Sequence, residues 1–331
     1  MNEIFEMICR MTQSELKDYV TSQLFLTHKD VYCGDGFVFA QGTFPVLLVA
    51  HLDTVHKHLP EIIFFDPVTK SISSPQGIGG DDRCGVFMIF EVLKSYNCSV
   101  IFCEDEEIGT VGARKFITTD LAQTLSFNYA IEFDRKGKND AVFYDCDNEE
   151  FEDFITESFY KTSWGSFSDI SVLAPFLKCA AVNLSCGYYK AHTEEEYVVI
   201  PEMLESINEA CKILSRTTEE TKFEYIESVN NYYGYGYYGS SYYNGSYNKS
   251  KSKSKGNIMP YSSAWYDDDD DDDIEFYYLF EFVDEYGDTN WYEVDAKSME
   301  EAVGYFAMAY PNVPFANIID IMMDNPYGGK K

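Results

Sequence analysis

The sequence lacks the features that mark membrane, secreted and disulfide-bonded proteins. No stretch of about 18 apolar residues occurs, and the N-terminus has no charged segment followed by an apolar core. The nine cysteines form no C-x-x-C pair, and most lie in apolar runs, which predicts reduced and buried thiols. We therefore expect a soluble, cytoplasmic protein that does not interact with membranes.

Basic residues are scarce. The chain has 25 Lys and Arg against 56 Asp and Glu, which gives a formal charge of −31. Without the seven consecutive aspartates at 267–273 the charge is still −24, so the acidity belongs to the whole protein. A polyanionic surface repels phosphate backbones, and we expect no nucleic-acid partner. The same acidity is compatible with binding of divalent cations but does not establish it.

The 331 residues divide into three segments of different composition. In residues 1–220 short apolar strands alternate with helical patterns, which predicts an α/β/α sandwich of three layers around a mixed, mainly parallel sheet. Residues 221–274 are rich in Tyr, Gly, Ser and Lys and include the aspartate run, a composition that predicts a disordered linker. Residues 275–331 predict a small β-β-α-β domain without a ligand cluster. A protein partner is expected through that domain or through the tyrosine-rich linker.

The most informative stretch is the apolar run that starts at Val46 and ends in His51-Leu52-Asp53. Such a run predicts a strand that is buried on both faces, and its carboxyl end lies where open α/β sheets place their sites. Strand side chains alternate, so His51 and Asp53 point to the same side. A metal-bound histidine usually donates its second ring N–H to a carboxylate of this kind. On these residues alone, the favoured interpretation is an ordinary histidine at the end of a strand, followed by a turn.

Four further segments end in potential metal ligands. They are Asp81 after Gly79-Gly80, Glu106 and Glu107 after the strand 99–103, Asp134 at the end of the strand 129–134, and His192 in the loop after the strand 180–185. Singly, Asp81 fits a helix N-cap and the acidic run fits a solvated loop. Together with His51 they predict imidazole and carboxylate ligands at one edge of a sheet, a donor set that most often binds zinc.

The order of these motifs resembles that of the dinuclear zinc exopeptidases. The matching motifs are His-x-Asp-Thr-Val, Gly-x-Asp-Asp-Arg-x-Gly, Glu-Glu-x-Gly, a strand-end Asp and His-Thr-x-x-Glu-Tyr, all within residues 1–216. Peptidase T and the related dipeptidases and acylases, the tetrahedral aminopeptidases and the bacterial leucyl aminopeptidases belong to this superfamily. His-Leu-Asp-Thr-Val is most similar to the peptidase T branch, and Asp-Asp-Arg to the tetrahedral aminopeptidases.

The resemblance implies a role for each of these residues. Asp81 would bridge two Zn²⁺ ions, with Co²⁺ or Mn²⁺ as alternatives. His51 and Asp134 would complete one metal site, and Glu107 and His192 the other. Asp53 would orient His51, and Glu106 would be the general base for a zinc-bridged hydroxide.

The spacing departs from that of the relatives that carry a lid domain. Only 57 residues separate Asp134 from His192, and only 29 separate His51 from Asp81. Neither inserted lid fits, so we expect a minimal catalytic domain in which another donor stabilises the tetrahedral oxyanion. Tyr188 and Tyr189 are the candidates for this role. Asp169 is a third candidate substrate contact, with helix capping as the alternative.

These observations favour a metal-dependent aminopeptidase or dipeptidase that acts on peptides. One alternative is an amidohydrolase or deacylase that acts on an N-acyl amino acid or another small amide. A further alternative is a non-catalytic interaction protein with a structural metal domain. Glu106 ligates nothing in the scheme above, and its presence argues against the last of these.

Overall fold

We describe the protein from a computed structural model. It describes residues 3–165, 167–228, 276–283, 289–296, 302, 304–306, 309–310, 313 and 318–324. The chain forms two compact units, one made of Met1–Val229 with Val303–Val313 and the other of Asn230–Ala302 with Pro314–Lys331. Within the described residues, every helix is too short or too polar to cross a bilayer.

The first unit contains seven complete helices among the described residues. They are α1 (Glu3–Cys9), α2 (Gln13–Thr27), α3 (Gly80–Leu93), α4 (Val111–Ile117), α5 (Glu149–Thr156), α6 (Asp169–Leu177) and α7 (Ile200–Ser215). Its strands are β1 (Asp30–Gly34), β2 (Phe37–Gln41), β3 (Phe44–His51), β4 (Phe64–Asp66), β5 (Ser71–Ser73), β6 (Cys98–Cys103), β7 (Tyr129–Arg135), β8 (Asp140–Val142), β9 (Lys161–Ser163), β10 (Ala181–Ser185), β11 (Tyr188–Tyr189) and β12 (Tyr197–Val199).

Eight of these strands form one central sheet in the order β1-β2-β6-β3-β7-β10-β8-β9. The four middle strands β6, β3, β7 and β10 run parallel. At one side β2 pairs antiparallel with β6 and with β1, and at the other side β8 pairs antiparallel with β10 and parallel with β9. The expected mixed, mainly parallel sheet is therefore confirmed. Because β3, β6 and β7 are parallel neighbours, their carboxyl ends meet at one edge of the sheet.

The core lies on both faces of this sheet, and β3 shows why. Val46, Leu48 and Ala50 pack into the cluster formed with α1, α2, α3 and α7. Leu47 and Val49 point the other way, into the cluster formed with α4 and α6. A strand buried on both faces needs a continuous apolar run, which is what the sequence has before His51. The strand thus fixes the position at which the first polar side chain appears.

The first unit extends beyond the predicted boundary at residue 220. Within 221–228, Phe223 exchanges backbone hydrogen bonds with Asn128 and Ala180, and Glu227 forms a β-bridge with Cys146. The smaller antiparallel sheet β11-β12-β5-β4 lies in the same unit. All nine cysteines are in described parts of the chain, where they are free thiols, and seven are buried.

Three more strands belong to the C-terminal segment, namely β13 (Phe276–Val283), β14 (Thr289–Ala296) and β15 (Ile318–Asp324). They form an antiparallel sheet in the order β14-β13-β15. Between β14 and β15 in the sequence, residues 302, 304–306 and 309 are helical. This agrees with the expected β-β-α-β order. Most of the predicted linker, residues 229–274, lies outside the described residues.

Candidate metal centre

His51 is the last residue of β3, and its imidazole is buried. Its exposed fraction is 1%. The Nδ1 atom lies 3.1 Å from Oδ1 of Asp53, two residues further along the same edge. The backbone N–H of His51 donates to Oδ2 of Asp82 at 3.1 Å. Both contacts leave Nε2 to face the acids described below.

Asp53 also holds the acidic loop that follows β6. Its Oδ1 accepts the backbone N–H of Glu106, and its Oδ2 accepts that of Glu107, both at 3.0 Å. One buried carboxylate therefore fixes the His51 ring and the start of the Glu106-Glu107 segment at once. The sequence predicts the contact with the ring, but it does not predict the contact with the loop.

Asp81 lies in the glycine-rich first turn of α3, where the backbone angles of Asp81 and Asp82 are not helical. Gly79 has a φ of +67°, a left-handed conformation that glycine adopts without strain. The Asp81–Asp82 peptide bond is cis. Asp82 is fully buried, and its carboxylate accepts hydrogen bonds from the backbone N–H groups of His51 and Gly85. Its side chain therefore holds the local backbone in place.

Asp134 lies near the end of β7, and it contacts four neighbouring side chains. Its backbone N–H donates to Oδ1 of Asn183 on β10 at 2.8 Å. The hydroxyl of Ser168 donates to its Oδ2 at 3.0 Å. Oδ1 lies 3.5 Å from Nε2 of His51 and 3.3 Å from the hydroxyl of Tyr188.

His192 approaches from the loop between β11 and β12. Its φ is +65°, and its side chain is 46% exposed, unlike that of His51. Its Nε2 lies 3.0 Å from Oε2 of Glu107 and 3.3 Å from Oδ2 of Asp81.

These five residues form two groups of potential ligands that share Asp81. The inner group is His51, Asp81 and Asp134, and the outer group is Asp81, Glu107 and His192. Within each group the ligand atoms lie within 4.8 Å of one another. Oδ1 of Asp81 faces His51 at 3.0 Å, whereas its Oδ2 faces His192. The structure therefore brings together all five residues that the sequence singles out as ligands.

The donor set fits divalent cations. Two imidazoles and three carboxylates converge here, the side chains of Asp53 and Glu106 add negative charge, and oxygen and nitrogen ligands of this kind suit zinc and similar metals. Oε1 of Glu107 is buried and has no hydrogen-bond partner among the described residues. A buried carboxylate oxygen without a partner is costly, and a bound cation would remove that cost.

The pKa values of these groups reflect the same crowding of charge. Burial raises the pKa of Glu107 to about 7, and the charge of Asp81 adds to the effect. Burial acts to lower the pKa of His192, but Glu107 and Asp81 outweigh it and raise the pKa to about 12. For His51, the acids led by Asp134 likewise outweigh burial and hold the pKa well above its usual value. Without a cation, protons balance the negative charge.

Glu106 is the neighbour of Glu107 in the sequence and belongs to neither group. Burial raises its pKa well above the usual value, and the charges of Asp134 and Glu107 contribute to the rise. A raised pKa makes a carboxylate a stronger base, which suits a group that takes up and returns a proton.

The three predicted substrate contacts are placed differently from one another. Tyr188 is buried, and its hydroxyl lies at the inner group, where it donates to the carbonyl of Asp134 at 3.1 Å. The hydroxyl of Tyr189 instead donates to Glu202, and its ring stacks on Tyr197. Asp169 is fully buried at the start of α6, so a substrate could not reach it without a rearrangement of that helix. Of the three, Tyr188 alone lies at the candidate centre.

Three residues that the sequence analysis does not single out, Glu196, His56 and Arg83, support the backbone around the centre. Glu196 is fully buried against the Gly79–Asp81 turn. His56 contacts Glu196, and the His56 side chain is 8% exposed. Arg83 is buried too, and its guanidinium donates to the carbonyls of Leu52 and Met11. The Glu of His-Thr-x-x-Glu-Tyr was the available signal for Glu196.

No protein-family model matches the chain, and no curated protein matches it either. Solved structures, in contrast, match the chain in fold. The aminopeptidase PepT from Bacillus cereus ATCC 10987 matches with a TM-score of 0.53 and 14% identity, over 64% of this chain and 96% of that one. The chain therefore shares its fold with this aminopeptidase. A tripeptidase from Staphylococcus aureus subsp. aureus Mu50 matches with a TM-score of 0.52 and 13% identity, over 63% of this chain and 95% of that one. At this identity the likeness is one of fold, and at that level the resemblance noted in the sequence is confirmed.

Proposed function

We propose that this protein is a metal-dependent exopeptidase, an aminopeptidase or dipeptidase, whose reaction takes place at the inner and outer groups. The single observation that carries the proposal is the position of Asp81, whose two carboxylate oxygens face the two different imidazoles. A carboxylate in that position can be shared by two cations. The fold shared with PepT and with the tripeptidase supports a peptide as substrate.

His51 and Asp134 would hold one Zn²⁺ ion, and Glu107 and His192 would hold the other. Asp81 would be a ligand of both ions. Cobalt or manganese could replace zinc, because the ligands are imidazole and carboxylate. When bound, two such ions lower the pKa of a bound water molecule and polarise the carbonyl of the scissile bond.

Glu106 would act as the general base and then as the general acid. It takes a proton at its carboxylate and returns it to the leaving amine, which requires a side chain that is not itself a ligand. Glu107 is committed to the outer group, so two adjacent glutamates are needed. Tyr188 is the candidate donor to the developing oxyanion, because its hydroxyl lies at the inner group.

The test is hydrolysis of matched peptides by the purified full chain after metal removal, and again after addition of Zn²⁺, Co²⁺ or Mn²⁺. Each peptide is supplied with free ends, with an acetylated N-terminus and with an amidated C-terminus. Mass spectrometry identifies the products. The proposal predicts metal-dependent release of terminal amino acids. If the N-acetylated peptide is not cleaved while the peptide with an amidated C-terminus still is, the enzyme is an aminopeptidase.

Two outcomes contradict the proposal. Release of the acetyl group from the blocked peptide would indicate a deacylase that acts on N-acyl amino acids. No hydrolysis of any peptide with any metal would favour a binding protein. Glu106→Gln, prepared in parallel, excludes a contaminating peptidase, because activity that survives in this variant does not come from the proposed centre.

A further inference from the structure

Glu196 is a fully buried carboxylate beneath the turn that presents Asp81. Its Oε1 accepts the backbone N–H of Asp81 at 2.9 Å, and its Oε2 accepts that of Gly79 at 2.7 Å. Both bonds go to the backbone on either side of Gly80. The side chain therefore determines where the Asp81 main chain lies, although it does not reach the ligand atoms.

His56 completes this arrangement from the segment that follows β3. Its Nε2 lies 2.8 Å from Oε2 of Glu196. The ring packs so closely on Gly77 that a Cβ atom there would lie 2.1 Å from its Cε1 atom. Gly80 is enclosed in the same way, because its Cβ would lie 2.7 Å from Val198 and 2.8 Å from Tyr188. Gly77 thus leaves space for the His56 ring, and Gly80 leaves space for Val198 and Tyr188.

Three segments that are far apart in the sequence meet at Glu196. One follows His51, one carries Asp81, and one carries His192, which precedes Glu196 by four residues. A carboxylate buried to 0% exposure is costly unless its hydrogen bonds are satisfied, and here two amides and an imidazole satisfy them. The loop that brings His192 to the outer group is thereby tied to the turn that brings Asp81.

We propose that Glu196, supported by His56, is a positioning residue that fixes the Asp81 turn against the His192 loop. This inference rests on the proposed function, because it assumes that Asp81 and His192 bind a common cation. Glu196 itself contacts neither metal nor substrate in this account. Its effect reaches the centre through the backbone of Gly79 and Asp81.

The decisive variant is Glu196→Gln, which keeps the size of the side chain but replaces one acceptor oxygen with an NH₂ group. That group must face the N–H of Gly79 or of Asp81, so one bond is lost and two donors oppose each other. The matched control is Glu194→Gln, the same change at an exposed position of the same loop. We expect zinc affinity, measured by calorimetry on the full chain, to fall about 10–100-fold in Glu196→Gln. The control should stay within about twofold of the original protein.

A second readout does not depend on metal at all. Amide hydrogen exchange of the peptide that spans residues 77–84, measured in the metal-free protein, should be faster in Glu196→Gln than in Glu194→Gln. A loss of protection confined to this peptide supports positioning. Unchanged exchange together with unchanged zinc affinity overturns the inference.

His56 provides the test if Glu196→Gln does not fold. His56→Phe fills the space of the ring but removes its hydrogen bond, whereas His56→Gln keeps a donor that can reach Glu196. We expect exchange at 77–84 to increase in the Phe variant and to recover in the Gln variant, with His58→Gln as the exposed control. Equal exchange in all three overturns the inference. If the original protein binds none of Zn²⁺, Co²⁺ and Mn²⁺, the proposed function fails, while the exchange experiments still decide whether Glu196 and His56 hold the turn.

Discussion

The inner and outer groups share one carboxylate but are built in different ways. His51 and Asp134 lie at the ends of neighbouring strands in the middle of the sheet, and the His51 side chain is 1% exposed. Glu107 and His192 lie on loops, and the His192 side chain is 46% exposed. Strand ends fix side chains rigidly, whereas a loop position depends on contacts made by other residues. We therefore expect the inner group to bind its cation more tightly and to release it more slowly.

The residues that hold the two groups in place also differ, because the partner that holds the His51 ring is close in sequence and those of the outer group are distant. Asp53 holds the His51 ring from two residues away, a local contact that follows from strand geometry. The outer group instead depends on distant partners, namely Asp53 for the backbone of Glu107 and Glu196 for the link between the His192 loop and the shared Asp81. A change far from the centre in sequence should therefore disturb the outer group first.

The largest expected effect comes from removal of the shared residue. Asp81→Ala deletes the ligand that both groups need, so we expect the loss of both ions and of all hydrolysis. Glu107→Ala removes a ligand of the outer group alone and should leave the inner ion bound. Atomic absorption on dialysed protein measures the zinc per chain. Equal zinc content in the two variants would contradict the division into two groups.

Glu106→Gln should separate chemistry from binding. The amide cannot take up a proton, so we expect kcat to fall by about 10²–10⁴-fold. Zinc content should not change, because Glu106 belongs to neither group. Steady-state kinetics and metal analysis on one preparation measure both. Asp105→Asn is the control on the same turn, where the side chain accepts a hydrogen bond from Gln13. A drop in zinc content would assign Glu106 to the ligands.

Replacing each histidine in turn compares the groups directly. We expect His51→Gln to weaken zinc binding more than His192→Gln by at least about tenfold, or about 1.4 kcal/mol. The reason is that loss of the buried ring leaves Asp81 and Asp134 opposed without solvent to screen them. Competition with a chromophoric chelator gives the affinities, and its time course should show the outer ion leaving first. The reverse order of release would overturn the comparison.

The pH dependence of zinc binding has a defined sign. In the metal-free protein the pKa of His192 is raised to about 12 and that of Glu107 to about 7, so near neutral pH a cation must displace protons from the outer group. Affinity should therefore rise with pH, by up to about tenfold per pH unit for each proton displaced. Calorimetry in buffers of different ionisation enthalpy counts the protons released. Affinity that falls as the pH rises would exclude protonated ligands.

Much of the fold and of the candidate centre follows from local patterns. The apolar run before His51 predicts a strand buried on both faces, and alternation along it predicts that Asp53 lies on the same side as the ring. Glu107 and Asp134 follow from the same reasoning, because polar residues at the ends of apolar strands gather at one edge of a parallel sheet. The structure brings these side chains together, while their role as ligands remains our proposal.

The rest depends on contacts between distant segments, which no local pattern encodes. The sequence does not show that Glu202 engages the hydroxyl of Tyr189 or that α6 encloses Asp169. The two residues that follow His56 are polar and typical of a surface loop, and both of them, Lys57 and His58, are exposed. The His56 ring nevertheless packs against Gly77. Such placements are set by side-chain packing in three dimensions.

The most direct test of the central claim is anomalous diffraction from crystals of the full chain grown with zinc. We expect two anomalous peaks, one beside each carboxylate oxygen of Asp81, with the first also next to His51 and the second next to His192. A single peak, or peaks away from Asp81, would contradict it.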